Sequence, residues 1–239
     1  MGRCKEIIIK VIPSNVANPF VKKHHYSGKV VQNSYLHFGC FLDGDLHGVL
    51  SYGPSMDKSH IIGLVEGTGW NEFLELNRMA FDDYLPRNSE SYCIGKTLRM
   101  IRKQAPQIKW VISFADGTQC GDGTIYRASN FVLTGIKKNT TILEWGGKII
   151  ADKTLNNKNW KEIGISAGVA KKMGAKPLRG FQLRYIYFLD PAYRARLKVP
   201  EIPFSKIDEA GAGMYKGENI TRAERHEKGR RNSRPELSE

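Results

Sequence analysis

Three places in this chain carry side chains suited to proton transfer or anion binding. His24, His25 and Tyr26 precede Ser27 and Gly28, placing two imidazoles and a phenol before a turn residue. Imidazoles carry protons near neutral pH or ligate metals through a neutral nitrogen. A metal site needs three or four ligands, and no carboxylate or cysteine stands at metal-ligand spacing from this pair, so the sequence leaves metal use unknown. Ser89 and Ser91 lie in RNSES just ahead of a helical pattern, with Arg87 beside them. Backbone N–H groups at a helix start, with hydroxyls and a guanidinium nearby, suit a phosphate or pyrophosphate; simple N-capping by one serine explains the same residues. Asp116 ends WVISFAD, where an α/β sheet commonly displays chemistry, and Tyr126 follows one short helix later. A capping Asp and a half-buried Tyr fit those two positions equally well.

One tempting motif fails. CIGKTLR contains GKT, but a phosphate-binding loop needs a glycine five positions before Gly95, and Glu90 stands there. Nucleoside triphosphate hydrolysis is therefore excluded.

The elements that must position these residues follow from periodicity. IIIKVI ahead of Pro13 reads as a first strand, and Ser14 or Asn15 as the cap of a helix through VANPFVKKHHY, with Pro19 in its first turn or breaking it. SYLHFGCFL and LHGVLSYG flank Asp43-Gly44-Asp45, a hairpin signal. EFLELNRMAF is a further strand, YCIGKTLRMIRKQ an amphipathic helix with Ile94, Leu98 and Ile101 on one face, WVISFAD a buried strand, GTIYRASN a short helix and FVLTGI another strand. In RYIYFLD the alternation predicts a strand with Ile186 and Phe188 facing inward. No internal repeat is visible. This order predicts a mixed α/β sheet, not a bundle or a sandwich.

Composition bounds the class. The 239 residues carry 41% hydrophobic and 26% charged side chains, enough for a core. No apolar run approaches the roughly 20 residues of a membrane span, and MGRCKEIIIKVIPSN lacks a signal-peptide cleavage site. Cys4, Cys40, Cys93 and Cys120 form no CxxC or CxxH pair, which points to reduced thiols in a cytoplasmic protein. The formal charge of +13 is unevenly spread: residues 1–136 are net +3, residues 137–198 net +10 and residues 199–239 neutral. In residues 137–198, basic side chains such as Lys171, Lys172, Lys176 and Arg179 are interleaved with Trp145, Trp160, Phe181, Tyr185, Tyr187 and Tyr193. Phosphate neutralisation with nearby aromatic stacking is how proteins hold nucleic acid, although a solvated basic surface over an aromatic core has the same composition. Residues 1–199 thus read as one domain whose part 137–198 contacts nucleic acid, and residues 200–239 as a flexible polar tail with a basic stretch from Arg222 to Arg234.

Taken together, LELNRMAF, the amphipathic helix, WVISFAD and TIYRASNFVLTG resemble the GNAT superfamily of acyltransferases. More specifically, HHYSGK, HFGCF, DGDLHGVLSYGP, FLELNRM, NSES, SFADG, GTIYRASNFVLTG and RYIYFLD, in order over residues 10–190, resemble the Mom family of phage DNA adenine modification proteins. The resemblance implies a GNAT-like, mostly antiparallel sheet flanked by helices. It further implies conversion of adenine N6 in duplex DNA to an N6-carbamoylmethyl group, in the host cytoplasm, as protection from restriction. Positions matching the family's important polar residues are His25, Tyr26, Arg78, Ser91, Asp116 and Tyr126. On this reading Arg78 and Ser91 hold an anionic donor or a carbonyl oxygen, Asp116 takes a proton from the amine, Tyr126 protonates the leaving group, and His25 and Tyr26 line the adenine pocket. Asp116 orienting Tyr126 or His25 is an equal alternative. RNSESYCIG has one glycine where acetyl-CoA enzymes carry a glycine-rich pyrophosphate loop, so acyl-CoA is joined as candidate donor by glycyl-tRNA, with tRNA then a second nucleic-acid partner. The rival classes are an N-acetyltransferase acting on a protein or small amine, and a noncatalytic DNA-binding anti-restriction protein.

Overall fold

The computed structural model describes residues 3–152, 155 and 166–231. In chain order the elements are β1 (Ile8–Ile12), α1 (Ser14–His24), β2 (Leu36–Leu42), β3 (Asp45–Gly53), α2 (Lys58–Ile61), β4 (Phe73–Phe81), α3 (Ser89–Gln104), β5 (Trp110–Gly117), α4 (Thr124–Ala128) and β6 (Val132–Lys138). They continue with β7 (Ile142–Trp145), β8 (Lys148–Ala151), α5 (Ala167–Lys172), β9 (Lys176–Pro177), β10 (Phe181–Phe188), α6 (Ser205–Glu209) and α7 (Arg222–Arg231). A seven-stranded sheet runs β1-β2-β3-β4-β5-β10-β6, and a three-stranded sheet runs β8-β7-β9. The first four strands pair antiparallel and β4 pairs parallel to β5. The fold is mixed α/β, with a mostly antiparallel sheet flanked by helices.

The chain divides into two compact units. The first comprises Met1–Phe114, Gly123–Thr134 and Arg184–Pro203; the second Ala115–Asp122, Gly135–Leu183 and Phe204–Glu239.

In the first unit, Asp43 (φ 53°) and Gly44 (φ 98°) form the left-handed two-residue turn that matches strand twist between β2 and β3. Helix α1 starts at Ser14 with Pro13 in the cap position and no side-chain cap, so the expected capping by Ser14 or Asn15 is not used. Pro19 lies inside the helix, beyond its first turn. Ala17 and Val21 of α1 bury against Val49 and Ala80, one face of the sheet. The opposite face meets α3, whose buried Cys93, Ile94, Thr97, Leu98 and Ile101 form one stripe at helical spacing. Among them Thr97 accepts from the buried Tyr52 hydroxyl at 2.7 Å while donating to Ile94 O. Tyr185 and Ile186 are both fully buried in β10, which corrects the one-sided pattern expected there. The strand lies between β5 and β6, where Leu183, Tyr185 and Ile186 are all covered.

In the second unit, Gly146 and Gly147 take positive φ in the β7–β8 turn. Leu143, Leu155, Ala167, Ala170 and Ala175 form a small core with Trp145 and Ile150 against it. Asn139, 3% exposed, organises the approach to this sheet: its amide donates to Ile142 O and Leu178 O, and its carbonyl accepts from the Thr141 and Ile142 N–H groups. The segment from residue 200, expected as a flexible tail, holds α6 and α7 and buries Ile207, Ala212 and Met214. Those few apolar side chains are too sparse to show a period, so the sequence alone read as polar coil. Residues 232–239 lie outside the described residues, as do Lys153, Lys158, Trp160 and Lys161 of the basic segment.

Candidate active site

The site in the first unit depends on an irregularity in β4. Ser51 of β3 stands opposite Arg78, but Tyr52 stands opposite Leu76, so Asn77 is an extra residue, a β-bulge. In a regular strand Glu75 and Arg78, three apart, would point to opposite faces. The bulge returns them to one face, Glu75 opposite Gly53 and Arg78 opposite Ser51. Asn77 is held in the bulge by the Ser34 hydroxyl, which donates to its carbonyl at 3.0 Å. Next to the bulge, the parallel pairing of β4 with β5 ends at Glu75 and Ile112. Beyond that point β4 carries Arg78 along a stretch not paired to β5.

Arg78 is anchored at its base. Its Nε donates to Lys29 O at 2.9 Å and its Nη1 to Asn77 O at 2.7 Å. Burial pulls its pKa below the usual arginine value, and the Tyr26 phenol, the Glu75 carboxyl and the Tyr126 phenol are close enough to act on it in the opposite sense. The guanidinium remains a cation, with two phenols and a carboxyl within electrostatic range of it.

Tyr126, 7% exposed, sits on α4 with its ring 5.4 Å from Phe131 and 5.3 Å from Tyr185. The turn into α4 requires glycine: Gly123 has φ 82°, and a Cβ there would stand 2.4 Å from the Tyr185 ring. The Ser129 hydroxyl at the end of α4 donates to Ile125 O and lies 3.5 Å from Ser91 O, which brings α4 against the first turn of α3.

At the end of α1, the His25 N–H closes the helix on Val21 O. The Ser27 N–H donates to His25 Nδ1 at 3.2 Å, so Nδ1 is the acceptor and a neutral His25 carries its proton on Nε2. The Tyr26 ring stands 4.4 Å from the His25 ring and is 51% exposed.

The start of α3 differs from a serine cap. Asn88 takes the cap position with φ 71° and no side-chain cap bond. The Ser89 hydroxyl donates to Pro86 O and the Ser91 hydroxyl to Asn88 O. Both serines thus tighten the preceding loop. Ser89 is buried, so it is not displayed to a ligand; Ser91 is partly exposed and Arg87 exposed.

In the second unit, Asp116 is tied into its own loop. Its Oδ1 accepts from the Thr118 N–H at 3.0 Å and from the Thr118 hydroxyl, and its Oδ2 accepts from Gln119 Nε2 at 3.2 Å. Cys120 and Gly121 donate their N–H groups to Asp116 O. This is the environment of a loop-organising carboxylate.

Within the first unit Tyr26, Glu75 and Tyr126 therefore lie within electrostatic range of Arg78, the His25 ring is tilted against Tyr26, and the Ser91 turn lies against α4. Sequence reading missed Glu75, because period-two alternation assigns it to the face opposite Arg78. It also missed His37 and Ser51, both buried and joined Nδ1 to Oγ at 2.8 Å, with Ser51 directly opposite Arg78 in register. Such a grouping can hold an oxyanion on Arg78, deliver a proton from a tyrosine and accept one on a carboxylate. Among the described residues no three His, Cys, Asp or Glu side chains are grouped to hold a metal ion, and no helix is long and apolar enough to cross a membrane.

Comparison with known proteins agrees with the motifs. "Methylcarbamoylase mom" of Escherichia phage Mu is 38% identical over 195 residues, covering 81% of this chain and 80% of the relative. Among solved structures, the ribosomal-protein-S18-alanine N-acetyltransferase from Escherichia coli aligns over 77% of this chain and 94% of its own, with a TM-score of 0.45 and 8% identity. The IAA acetyltransferase from Bacillus cereus ATCC 14579 aligns over 76% and 99%, with a TM-score of 0.42 and 13% identity. The Mom protein family matches residues 6–206, and the chain belongs to that family.

Proposed function

We propose that this protein is a DNA-modifying transferase that converts adenine in duplex DNA to N6-carbamoylmethyladenine and thereby shields phage DNA from host restriction. The observation that carries the reading is the Arg78 guanidinium, fixed by two backbone carbonyls within electrostatic range of the Tyr26 and Tyr126 phenols, in a chain whose relative is named a methylcarbamoylase. The exposed Tyr26 ring and His25 receive an adenine swung out of the duplex, because N6 inside a base stack is out of reach. Arg78 steadies the carbonyl oxygen of the donor as charge develops on it. Tyr126 protonates the leaving group, and Glu75 or Asp116 takes the proton from N6. The bonds already made to Asp116 favour Glu75 for that last role. The basic residues between 137 and 198 hold the nucleic acid through its phosphates.

Glycyl-tRNA is the donor we favour. Acylation of N6 by the glycyl group releases the tRNA 3′ hydroxyl and leaves a free amine. That amine attacks C6 through a five-membered ring and the original N6 departs as a protonated amide, giving C6–NH–CH2–CONH2 with no redox step. An acyl-CoA donor is the rival. Purified protein, duplex DNA and glycyl-tRNA labelled with 15N in glycine test both levels. Label on C6 with the original N6 in the amide supports the rearrangement. The old nitrogen retained on C6 refutes it, and unmodified adenine with either donor refutes the assigned function.

A further inference from the structure

Where β4 begins, the first unit holds a cavity lined by none of the residues assigned to the reaction. Its volume is about 140 Å³, and its lining includes the buried Phe73, Leu74 and Ile108 and the exposed Tyr35, Asn71 and Gln107, with Lys58 half-buried beside them. Phe73 is stacked on Trp110 with ring centroids 4.4 Å apart, so the apolar wall is rigid.

Next to the cavity stands Trp70, 58% exposed, with the Lys58 ammonium 4.4 Å from its ring centroid. The loop that carries this tryptophan is fastened on both sides of it. The Thr68 hydroxyl donates to Val65 O at 2.7 Å and accepts from Trp110 Nε1 at 3.1 Å. The Glu72 carboxylate accepts the Gly69 N–H at 2.8 Å and the Tyr193 hydroxyl at 3.2 Å. A large aromatic face is thus held in water by its own scaffold, and its transfer out of water is left to a partner.

The charges beside that face point to an anionic partner. Lys58 donates to Asn71 Oδ1 at 3.3 Å and lies 5.8 Å from the Phe73 centroid, and among the described residues it pairs with no carboxylate. The two carboxylates nearest in sequence to Lys58 and Trp70 are engaged elsewhere, Asp57 by His60 Nδ1 at 2.6 Å and Glu72 as above. Burial lowers the pKa of the Lys58 ammonium, so an anion set beside it offsets the desolvation. At the far end of the same loop the Arg196 guanidinium lies 4.3 Å from the Tyr193 centroid, its Nη1 3.6 Å from where a Cβ on Gly67 would stand.

A volume of about 140 Å³ is well below the roughly 300 Å³ at which pockets for drug-sized ligands begin, which leaves room for a single flat ring system. Asn71 and Gln107 carry the donor and acceptor pairs that match base edges, Tyr35 and Trp70 are stacking faces, and Lys58 and Arg196 suit phosphates. A base inside a duplex has its faces and its pairing edge taken, so the fitting ligand is unpaired. Arg78 lies four residues beyond Leu74 on β4, about 13 Å at the rise of a strand. The nucleotide held here is therefore a neighbour of the one that reacts.

We propose that this pocket binds an unpaired nucleotide, with its base in the cavity, its phosphate on Lys58 and the following base on the Trp70 face. The proposal rests on the reading that the protein acts on nucleic acid, and it assigns this site to the strand around the target. A DNA strand opened by base extrusion and the single-stranded end of an RNA donor share this chemistry. The test titrates the full chain by fluorescence anisotropy against four labelled probes: a fully paired duplex, the same duplex with a short unpaired bulge, and single strands of DNA and of RNA. Wild-type protein should prefer an unpaired probe over the paired duplex by about fivefold or more, and Trp70→Ala should remove that preference, since one stacked base is worth about five- to a hundredfold in affinity. Trp70→Phe should restore most of it. Lys58→Gln should lower the slope of log affinity against log salt on the preferred single strand by about 0.7. Paired-duplex affinity should stay within about twofold throughout, with thermal melting as the control for folding. Whichever of the DNA and RNA strands binds more tightly names the source of the nucleotide. Should Trp70→Ala fail to fold, Trp70→Phe, Tyr35→Ala and Lys58→Gln still decide the matter. Equal affinity for paired and unpaired probes, or a preference that survives Trp70→Ala and Lys58→Gln, overturns the proposal and leaves the reading of DNA as substrate standing. A chain that binds none of the four probes overturns both.

Discussion

Replacing Arg78 by lysine keeps the charge and removes the fork. Arg78 spends Nε and Nη1 on Lys29 O and Asn77 O, and the Tyr26 and Tyr126 phenols lie within electrostatic range of the guanidinium. A lysine ammonium can reproduce at most one of those carbonyl bonds while still reaching the site, and each hydrogen bond to a charged group is worth roughly 1.5–3 kcal/mol. Loss of one preorganised donor to a developing oxyanion costs about a hundred- to a thousandfold in rate. We therefore expect Arg78→Lys to slow appearance of modified adenine about a hundredfold and Arg78→Ala by more, with duplex affinity within threefold of wild type. The assay is single-turnover conversion followed by nucleoside mass spectrometry, with thermal melting as the control for folding. Modification by Arg78→Lys within threefold of wild type would refute the assignment of Arg78 to the reacting carbonyl.

Other expectations follow from individual side chains. Glu75→Gln should lower the rate at least tenfold and shift the acidic limb of the pH–rate profile; an unchanged profile removes Glu75 as the base. Gly123→Ala should destabilise the protein by about 1–3 kcal/mol, since its left-handed φ and the Tyr185 ring both oppose a Cβ, and urea unfolding measures this directly. Burial holds the pKa of His37 below the ordinary imidazole value. The unfolded chain therefore binds that proton first, near pH 6.5, and stability that is complete above pH 6.5 is lost as the pH falls through the folded value. His37→Gln should flatten that part of the urea midpoint against pH, and an unaltered slope would contradict the assignment. Lys172→Gln, on an exposed side chain, should reduce the salt dependence of DNA binding by about one counterion, with no change in sequence preference.

The sequence disclosed the architecture where local chemistry decides it. Asp43-Gly44 specified the β2–β3 hairpin, and the stripe from Cys93 to Ile101 specified α3. It disclosed less where a single residue shifts a register. The bulge at Asn77 is fixed by Ser34, more than forty positions away, so nothing local signals that Glu75 joins Arg78. The serines of RNSES announced a helix start correctly, but their hydroxyls turn back to Pro86 O and Asn88 O, a choice made by the left-handed Asn88. The C-terminal segment read as coil because its order comes from a few long-range interactions, Arg225 to Asp122 above all. Family motifs pointed to His25, Tyr26, Arg78 and Tyr126; that Tyr26 and Tyr126 lie within electrostatic range of Arg78 required the fold.

The most direct test is the nucleoside composition of DNA from cells expressing the intact chain, compared with the same cells expressing Arg78→Lys. The wild-type chain should yield a deoxyadenosine carrying CH2CONH2 in place of one N6 hydrogen, and the variant a deep reduction of that species. Wild-type protein that is soluble and binds duplex DNA, yet leaves every adenine unmodified, would contradict the assigned function.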